Sequence, residues 1–217
     1  MLINHKRVYR LWHREGLAVP AKRRRKRLRG VAPAAALVAD RPHRVWCLDF
    51  VEEHTLSGTK LRILCLSDEF TRQCLGIEVG RTFRSERVCT TLEALMTEHG
   101  MPAALRMDNG PEFVALALRG LCYRCGIDAA YIEPGKPWQN GYAESFHSRL
   151  RDEFLDGEVL LSVRDGQVRL GQWRRYWNEE RPHSSLGYQT PNEFAAAWVA
   201  RQQLERQGSE AKPVTGT

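Results

Sequence analysis

Three carboxylates, Asp49, Asp108 and Glu144, have types and spacing that could support chemistry together. Asp49 lies inside VWCLDFV, whose other members are all apolar, so its charge adjoins a buried strand. Asp108 ends a short apolar run and precedes Asn109 and Gly110, which predicts a turn directly after a strand. Glu144 lies near the start of a predicted helix. Taken singly, the three could be a hydrogen-bonded strand residue, a turn former and a first-turn helix acid.

Together, Asp49, Asp108 and Glu144 would form a cation site if the fold brought them to one place. Like charges in close contact repel unless cations join them, and Mg²⁺ suits a site built from oxygen ligands. Two Mg²⁺ ions, for which Mn²⁺ can substitute, would activate a water or a DNA 3′-hydroxyl and stabilise the leaving oxygen. The three acids therefore predict metal-dependent phosphoryl transfer.

The apolar periodicity predicts the elements that would position these acids. In chain order it indicates strands at 45–51, 61–67 and 74–79, a helix at 85–100, a strand at 105–108, a helix within 111–125, a strand at 128–133 and helices at 140–155 and after Ser162. Three antiparallel strands followed by alternating helices and strands indicate an α/β sandwich with a mixed sheet. A helix packed on that sheet could bring Glu144 to the same rim as Asp49 and Asp108.

Charge is concentrated at one end of the chain. The net charge is +7, but residues 1–30 hold 11 Lys or Arg against Glu15 alone, a net +10, so the other 187 residues carry −3. Such a basic arm favours a polyanionic partner, because lysine and arginine release condensed counterions from phosphates. The alternative is a charge run that is merely solvated.

Composition excludes several other classes of protein. Hydrophobic residues make up 42% of the chain and charged residues 27%, as in globular proteins. No apolar run is long enough to suggest a membrane span, and the six cysteines are predicted to be reduced and mostly buried. Cys122 and Cys125 form a CxxC, but no second pair at zinc-finger spacing accompanies it. His183 is predicted to be structural or to contact DNA.

Longer motifs surround the acids. The segments are WCLDF around Asp49, DEFTR at 68–72, RMDNGPEF around Asp108, IEPGKPWQNGYAESFHSRLRDEFL around Glu144, and WNEERPHSSLGYQTPNEF at 177–194, with thirty-five residues between the second and third acids. Over roughly residues 1–200 the chain resembles the OrfB-type DDE transposases of bacterial insertion sequences. The resemblance implies a ribonuclease H-like fold shared with retroviral integrases, with Asp49, Asp108 and Glu144 as catalytic metal ligands.

The resemblance also implies DNA as partner, both element ends and target duplex, and a homo-oligomer assembled on it in the nucleoid of a bacterial cytoplasm. Arg151 matches a basic position of the family and is assigned to phosphate, since its guanidinium stays protonated. In the loop before the Glu144 helix a lysine could reach phosphate and a tryptophan could stack on a base, although a packed, capped loop is equally compatible. The predicted DNA contacts are therefore Arg151, Lys136, Trp138, Asn140, Lys22, Arg23, Arg24, Arg25, Lys26, Arg27 and Arg29.

The predicted organisation follows from these segments. It is a helical DNA-binding remnant with a basic arm at 1–30, a linker at 31–42, a catalytic core with a helical extension at 43–200 and a disordered tail at 201–217. Members of the family begin with a longer helical region, so we expect a truncated copy with impaired end recognition. Two other functions are compatible with the sequence: a nuclease of the same fold that does not join strands, and a non-catalytic DNA-binding fragment.

Overall fold

The computed structural model describes residues 5–15, 37–133 and 137–210. Residues 1–36 and 37–217 form two separate compact units. In the first, helix α1 (His5–Arg14) confirms the predicted N-terminal helix, with Val8, Leu11 and Trp12 exposed along it. The basic stretch that follows α1 lies outside the described residues.

The second unit contains a five-stranded mixed sheet. The strands are β1 (Val45–His54), β2 (Lys60–Asp68), β3 (Cys74–Gly80), β4 (Ala104–Met107) and β5 (Asp128–Tyr131), in the order β3-β2-β1-β4-β5. The first three pair antiparallel as a meander, whereas β4 is parallel to both β1 and β5. This arrangement confirms the predicted mixed sheet.

Helices cover both faces of the sheet. They are α2 (Ser85–His99), α3 (Pro111–Val114), α4 (Leu116–Cys125), α5 (Gly141–Glu153) and α6 (Val163–Glu179), and a further helix, α7 (Pro191–Glu210), packs against α6. Successive side chains of a strand point to opposite faces, so Trp46 and Leu48 of β1 join the core built with α2 and α4. Val51 instead joins the core built with α5 and α6. Asp49 belongs to this second face.

Two predicted boundaries differ from the structure. The tail predicted to be disordered from residue 201 is helical through Glu210, because its Ala, Gln, Arg, Leu and Glu residues are strong helix formers. The linker predicted to end at 42 already belongs to the core unit at Leu37, whose carbonyl accepts a 2.6 Å hydrogen bond from Arg106. No helix in the described part of the chain is long and apolar enough to cross a membrane.

Candidate active site

The parallel pairing of β1 with β4 brings the first two acids side by side. Leu48 of β1 is the register partner of Met107 of β4. Asp49 and Asp108 are the residues that directly follow this pair. Both side chains therefore point to the sheet face that α5 covers, at the end of β4. The backbone N–H of Gly110 donates a 2.9 Å hydrogen bond to Asp108 Oδ1, so the predicted turn after β4 holds this carboxylate at the rim.

Helix α5 brings the third acid to the same place. Glu144 lies in its first turn, and Phe146 and Leu150 anchor the helix in the core that includes Val51 of β1. The pKa of Asp49 is raised from 3.8 to about 6, mainly by burial and also by the negative charges of Asp108 and Glu144, against two hydrogen bonds that lower it. Asp108 and Glu144 therefore lie near enough for their charges to act on Asp49, and the role of the three acids as metal ligands stays a prediction.

Hydrogen bonds fix the orientation of the Asp49 carboxylate. Its Oδ1 accepts from the backbone N–H of Phe50 at 2.7 Å, and its Oδ2 accepts from Asn140 Nδ2, also at 2.7 Å. The amide oxygen of Asn140 in turn accepts a 3.3 Å hydrogen bond from Cys47 Sγ. Asn140 is buried, so both ends of its side chain are used inside the protein. Its predicted contact with DNA stays a prediction.

A histidine that sequence reasoning missed faces the same carboxylate. His147 Nδ1 lies 3.8 Å from Asp49 Oδ2. Burial, together with the neighbouring positive charge of Arg151, lowers the pKa of His147 to about 4, so its imidazole is neutral near pH 7. The sequence signal that could have found it is its spacing of three residues from Glu144, which places both on one helix face.

A fourth carboxylate lies close to Asp108. Glu112, which is mostly buried, pairs with Arg62, whose guanidinium stacks 4.0 Å from the centroid of the Phe50 ring. A Cβ at Gly110 would lie 3.0 Å from Asp108 Oδ1 and 3.2 Å from Glu112 Oε2. Any larger residue at Gly110 would therefore press between the two carboxylates, which accounts for the glycine in the DNG turn.

The donor chemistry of the site fits a divalent cation. The three acids supply oxygen ligands, which Mg²⁺ prefers, and their mutual repulsion would be relieved by a positive ion. Within residues 5–15, 37–133 and 137–210, no three His, Cys, Asp or Glu side chains already stand close enough to hold an ion. The acids thus share one region of the rim without forming a closed cage.

Comparison with known proteins decides the family. Residues 39–137 match a family model described as an integrase core domain, and residues 125–191 match a second model of the same description. The 31.7 kDa protein of insertion element IS407 from Burkholderia multivorans is 38% identical over 195 residues, which are 89% of this chain and 69% of that protein. This chain belongs to the integrase core family of insertion-element proteins.

Other comparisons agree with that family. The transposase InsD of insertion element IS2D from Escherichia coli is 28% identical over 209 residues, covering 88% of this chain and 66% of InsD. The chain thus spans about two thirds of these relatives. The HTLV-2 integrase catalytic core domain, solved with magnesium in a dimeric form, has 14% identity and a TM-score of 0.54 over 73% of this chain and 99% of that one. The predicted transposase resemblance and ribonuclease H-like fold are confirmed.

Beneath the rim, this integrase core contains a buried ion pair that the sequence did not predict. Glu69, which is 2% exposed, lies in the turn after β2, and its Oε1 is 3.4 Å from the Nη1 of Arg106 on β4. Burial raises the pKa of Glu69 to about 7, while Arg106 and Arg72 oppose this rise. Arg106 also donates to the carbonyls of Leu37 and Gln139, at 2.6 and 3.1 Å. It thereby holds the turn from which Asn140 reaches Asp49.

We expect Arg106→Met to lower the free energy of unfolding by about 3 to 5 kcal/mol, since it leaves Glu69 buried without its partner. Glu69→Gln should lower the free energy of unfolding by less than Arg106→Met does. In the double variant, Glu69→Gln should restore part of the free energy of unfolding lost through Arg106→Met. Urea denaturation of the three variants gives these differences, with exposed Arg81→Met as the control. An Arg106→Met loss no larger than that of the control would contradict a structural role for the pair.

The remaining predicted DNA contacts are placed only in part. Arg151 is partly exposed; it donates a 3.0 Å hydrogen bond to the carbonyl of Glu52 and lies 3.5 Å from a carboxylate oxygen of Glu53. Its contact with phosphate stays a prediction. Outside the described residues lie Lys136, the side chain of Trp138, and Lys22, Arg23, Arg24, Arg25, Lys26, Arg27 and Arg29.

The other histidine and cysteine predictions concern residues away from the rim. His183 is buried against Trp177, with ring centroids 4.4 Å apart, which agrees with a structural role. All six cysteines are free. Cys122 is buried in the core beneath α4, and Cys125 is packed at its edge. The CxxC pair therefore contributes to packing.

Proposed function

We propose that this chain catalyses metal-dependent DNA cleavage and strand transfer during insertion-sequence transposition, with Asp49, Asp108 and Glu144 as the ligands of two Mg²⁺ ions. The observation that carries the proposal is the environment of Asp49, which is mostly buried and lies in the field of the other two carboxylates. Family membership supports the polynucleotidyl transferase chemistry. A magnesium complex of a structurally similar core supports the choice of ion.

The protein's own residues would hold and orient the ions that act on the DNA. Bound ions supply Lewis acidity toward an attacking hydroxyl and a leaving oxygen. Asp49 presents a carboxylate whose direction is set by Asn140 and by the Phe50 backbone. Asp108 is held at the end of β4 by the turn after it, and Glu144 is carried by a helix anchored in the core. Positioning on rigid elements aligns the reacting groups of the DNA.

The substrates follow from this chemistry. Element ends would be cut and joined to a target duplex, and joining two ends favours a homo-oligomer on DNA, as the dimeric form of the HTLV-2 core also suggests. We place this work in the nucleoid of a bacterial cytoplasm. Mn²⁺ is expected to replace Mg²⁺, because it accepts the same oxygen ligands.

Product analysis tests the proposal. The purified chain is incubated with labelled element ends, a target duplex and Mg²⁺, and the products are separated by size. Joined products establish strand transfer, whereas cut ends that never join would indicate a nuclease of the same fold. Activity that survives Asp49→Ala would point to a contaminant and to a non-catalytic DNA-binding role.

Deleting residues 1–30 is expected to weaken binding to every DNA sequence, because 11 basic residues leave with the arm. Each lost phosphate contact should flatten the log–log salt dependence of affinity by about 0.9. Fluorescence anisotropy at several salt concentrations measures both effects. A variant of full length with glutamine at the seven basic positions of 22–29 separates charge from length; an unchanged slope would show that the arm is only solvated.

A further inference from the structure

His147 and Asp49 approach each other at a distance that a hydrogen bond does not explain. Nδ1 and Oδ2 are 3.8 Å apart, well beyond the range of about 2.7 to 3.2 Å for an N–H···O bond. Two ligands each about 2.1 Å from one ion would instead be separated by roughly 3 to 4.2 Å, depending on the angle between them. The observed distance lies within the range that two ligands of one ion would show.

The hydrogen bonds around His147 and Asp49 leave the space between Nδ1 and Oδ2 free for an ion. Asp49 Oδ1 is used by the Phe50 backbone, and Oδ2 by Asn140 on one of its two lone pairs. Arg151, one turn further along α5 than His147, is bound to the Glu52 carbonyl. Asp49 Oδ2 therefore keeps a second acceptor position on the side of the His147 imidazole. Arg151 does not occupy the space between these two groups.

The spacing along α5 adds an independent argument. Glu144 and His147 are three residues apart, so they lie on the same helix face. A Glu-x-x-His pair projecting from one helix is a recurrent ligand arrangement for divalent transition metals in helical proteins. Here His147 lies 3.8 Å from Asp49 across the helix–sheet contact, and the charge of Glu144 acts on the same carboxylate.

We propose that His147 is an additional metal ligand of this site, through Nδ1, and that it raises the affinity of the site for divalent first-row transition ions more than its affinity for Mg²⁺. The proposal rests on the proposed function, because the ion concerned is one held by Asp49 and Glu144. Imidazole is a good ligand for transition ions, whereas Mg²⁺ takes oxygen ligands and water. A mixed nitrogen and oxygen set therefore shifts selectivity toward ions such as Mn²⁺ and Co²⁺.

The test is metal binding by the full chain, measured without DNA. Calorimetric titrations with MgCl₂, MnCl₂ and CoCl₂ compare the parent with His147→Asn and with His54→Asn, an exposed histidine at the end of β1. His147→Asn should lower the affinity for Mn²⁺ and Co²⁺ on the order of tenfold or more and leave the affinity for Mg²⁺ nearly unchanged. Pulsed electron paramagnetic resonance of bound Mn²⁺ should show coupling to a ligand nitrogen in the parent and in His54→Asn, and none in His147→Asn.

Two results would overturn the inference. One is bound Mn²⁺ with no nitrogen coupling in the parent; the other is an equal loss of Mg²⁺ and Mn²⁺ affinity in His147→Asn, which would mean that the histidine only orders the helix. Asp49→Asn separates this inference from the proposed function. If Asp49→Asn abolishes binding of both ions while the parent lacks nitrogen coupling, the carboxylate site stands and the role of His147 falls. If Asp49→Asn binds both ions as the parent does, both proposals fall.

Discussion

Asp49→Asn, Asp108→Asn and Glu144→Gln are each expected to abolish metal-dependent strand cleavage and joining while leaving the fold nearly intact. Each change removes one anionic ligand and keeps the side-chain volume, so the packing around β1, β4 and α5 is little disturbed. Loss of a correctly held metal removes several kcal/mol of transition-state stabilisation, which corresponds to roughly a thousandfold or more in rate.

The measurement is the yield of joined product from labelled ends in Mg²⁺, with circular dichroism to verify folding. Asp152→Asn is a matched control, because Asp152 is an exposed carboxylate on the same helix as Glu144. It should retain parental activity. If any one of the three variants joined strands at the parental rate, that residue would have to be removed from the proposed site.

The three acids could be predicted because each leaves a local mark in the sequence. Asp49 interrupts an otherwise apolar strand, and Asp108 precedes a glycine turn that ends another. The order of strands and helices then limits where a helix carrying Glu144 can pack. The parallel pairing of β1 with β4 then places Asp49 and Asp108 side by side.

The groups that support the acids could not be predicted in the same way. Asn140 reaches Asp49 across 91 positions of sequence, and His147 meets it only because of how α5 is rotated over β1. The polar loop segment around Asn140 indicates a contact with DNA and gives no sign of its hydrogen bond to Asp49. Glu69 lies in a charged stretch typical of an exposed turn, and its burial depends on Arg106 from a distant strand. Such contacts are tertiary, so local patterns carry no information about them.

In metal-free buffer, Asp49→Asn is expected to be more stable than the parent at neutral pH. The pKa of Asp49 rises from 3.8 to about 6 in the folded protein, with burial as the main cause. The folded state therefore binds this proton more tightly than the unfolded state does. As a result, the parent loses stability as the pH rises from about 4 to about 6 and does not regain this contribution above that range. An asparagine cannot ionise, so the variant avoids the loss.

The rise in the pKa of Asp49 corresponds to about 3 kcal/mol as an upper limit. We expect the variant to exceed the parent by about 1 to 3 kcal/mol at pH 7.5, because an asparagine keeps part of the hydrogen bonding made by the protonated acid. Below pH 4 the difference should nearly vanish. Urea denaturation in EDTA at pH 4, 5, 6 and 7.5 measures it, and Asp152→Asn should show no comparable trend. A parent that is the more stable protein at pH 7.5, or a difference that is independent of pH, would mean that the Asp49 carboxylate is not held at an energetic cost. In that case relief of repulsion could not contribute to metal binding at this rim.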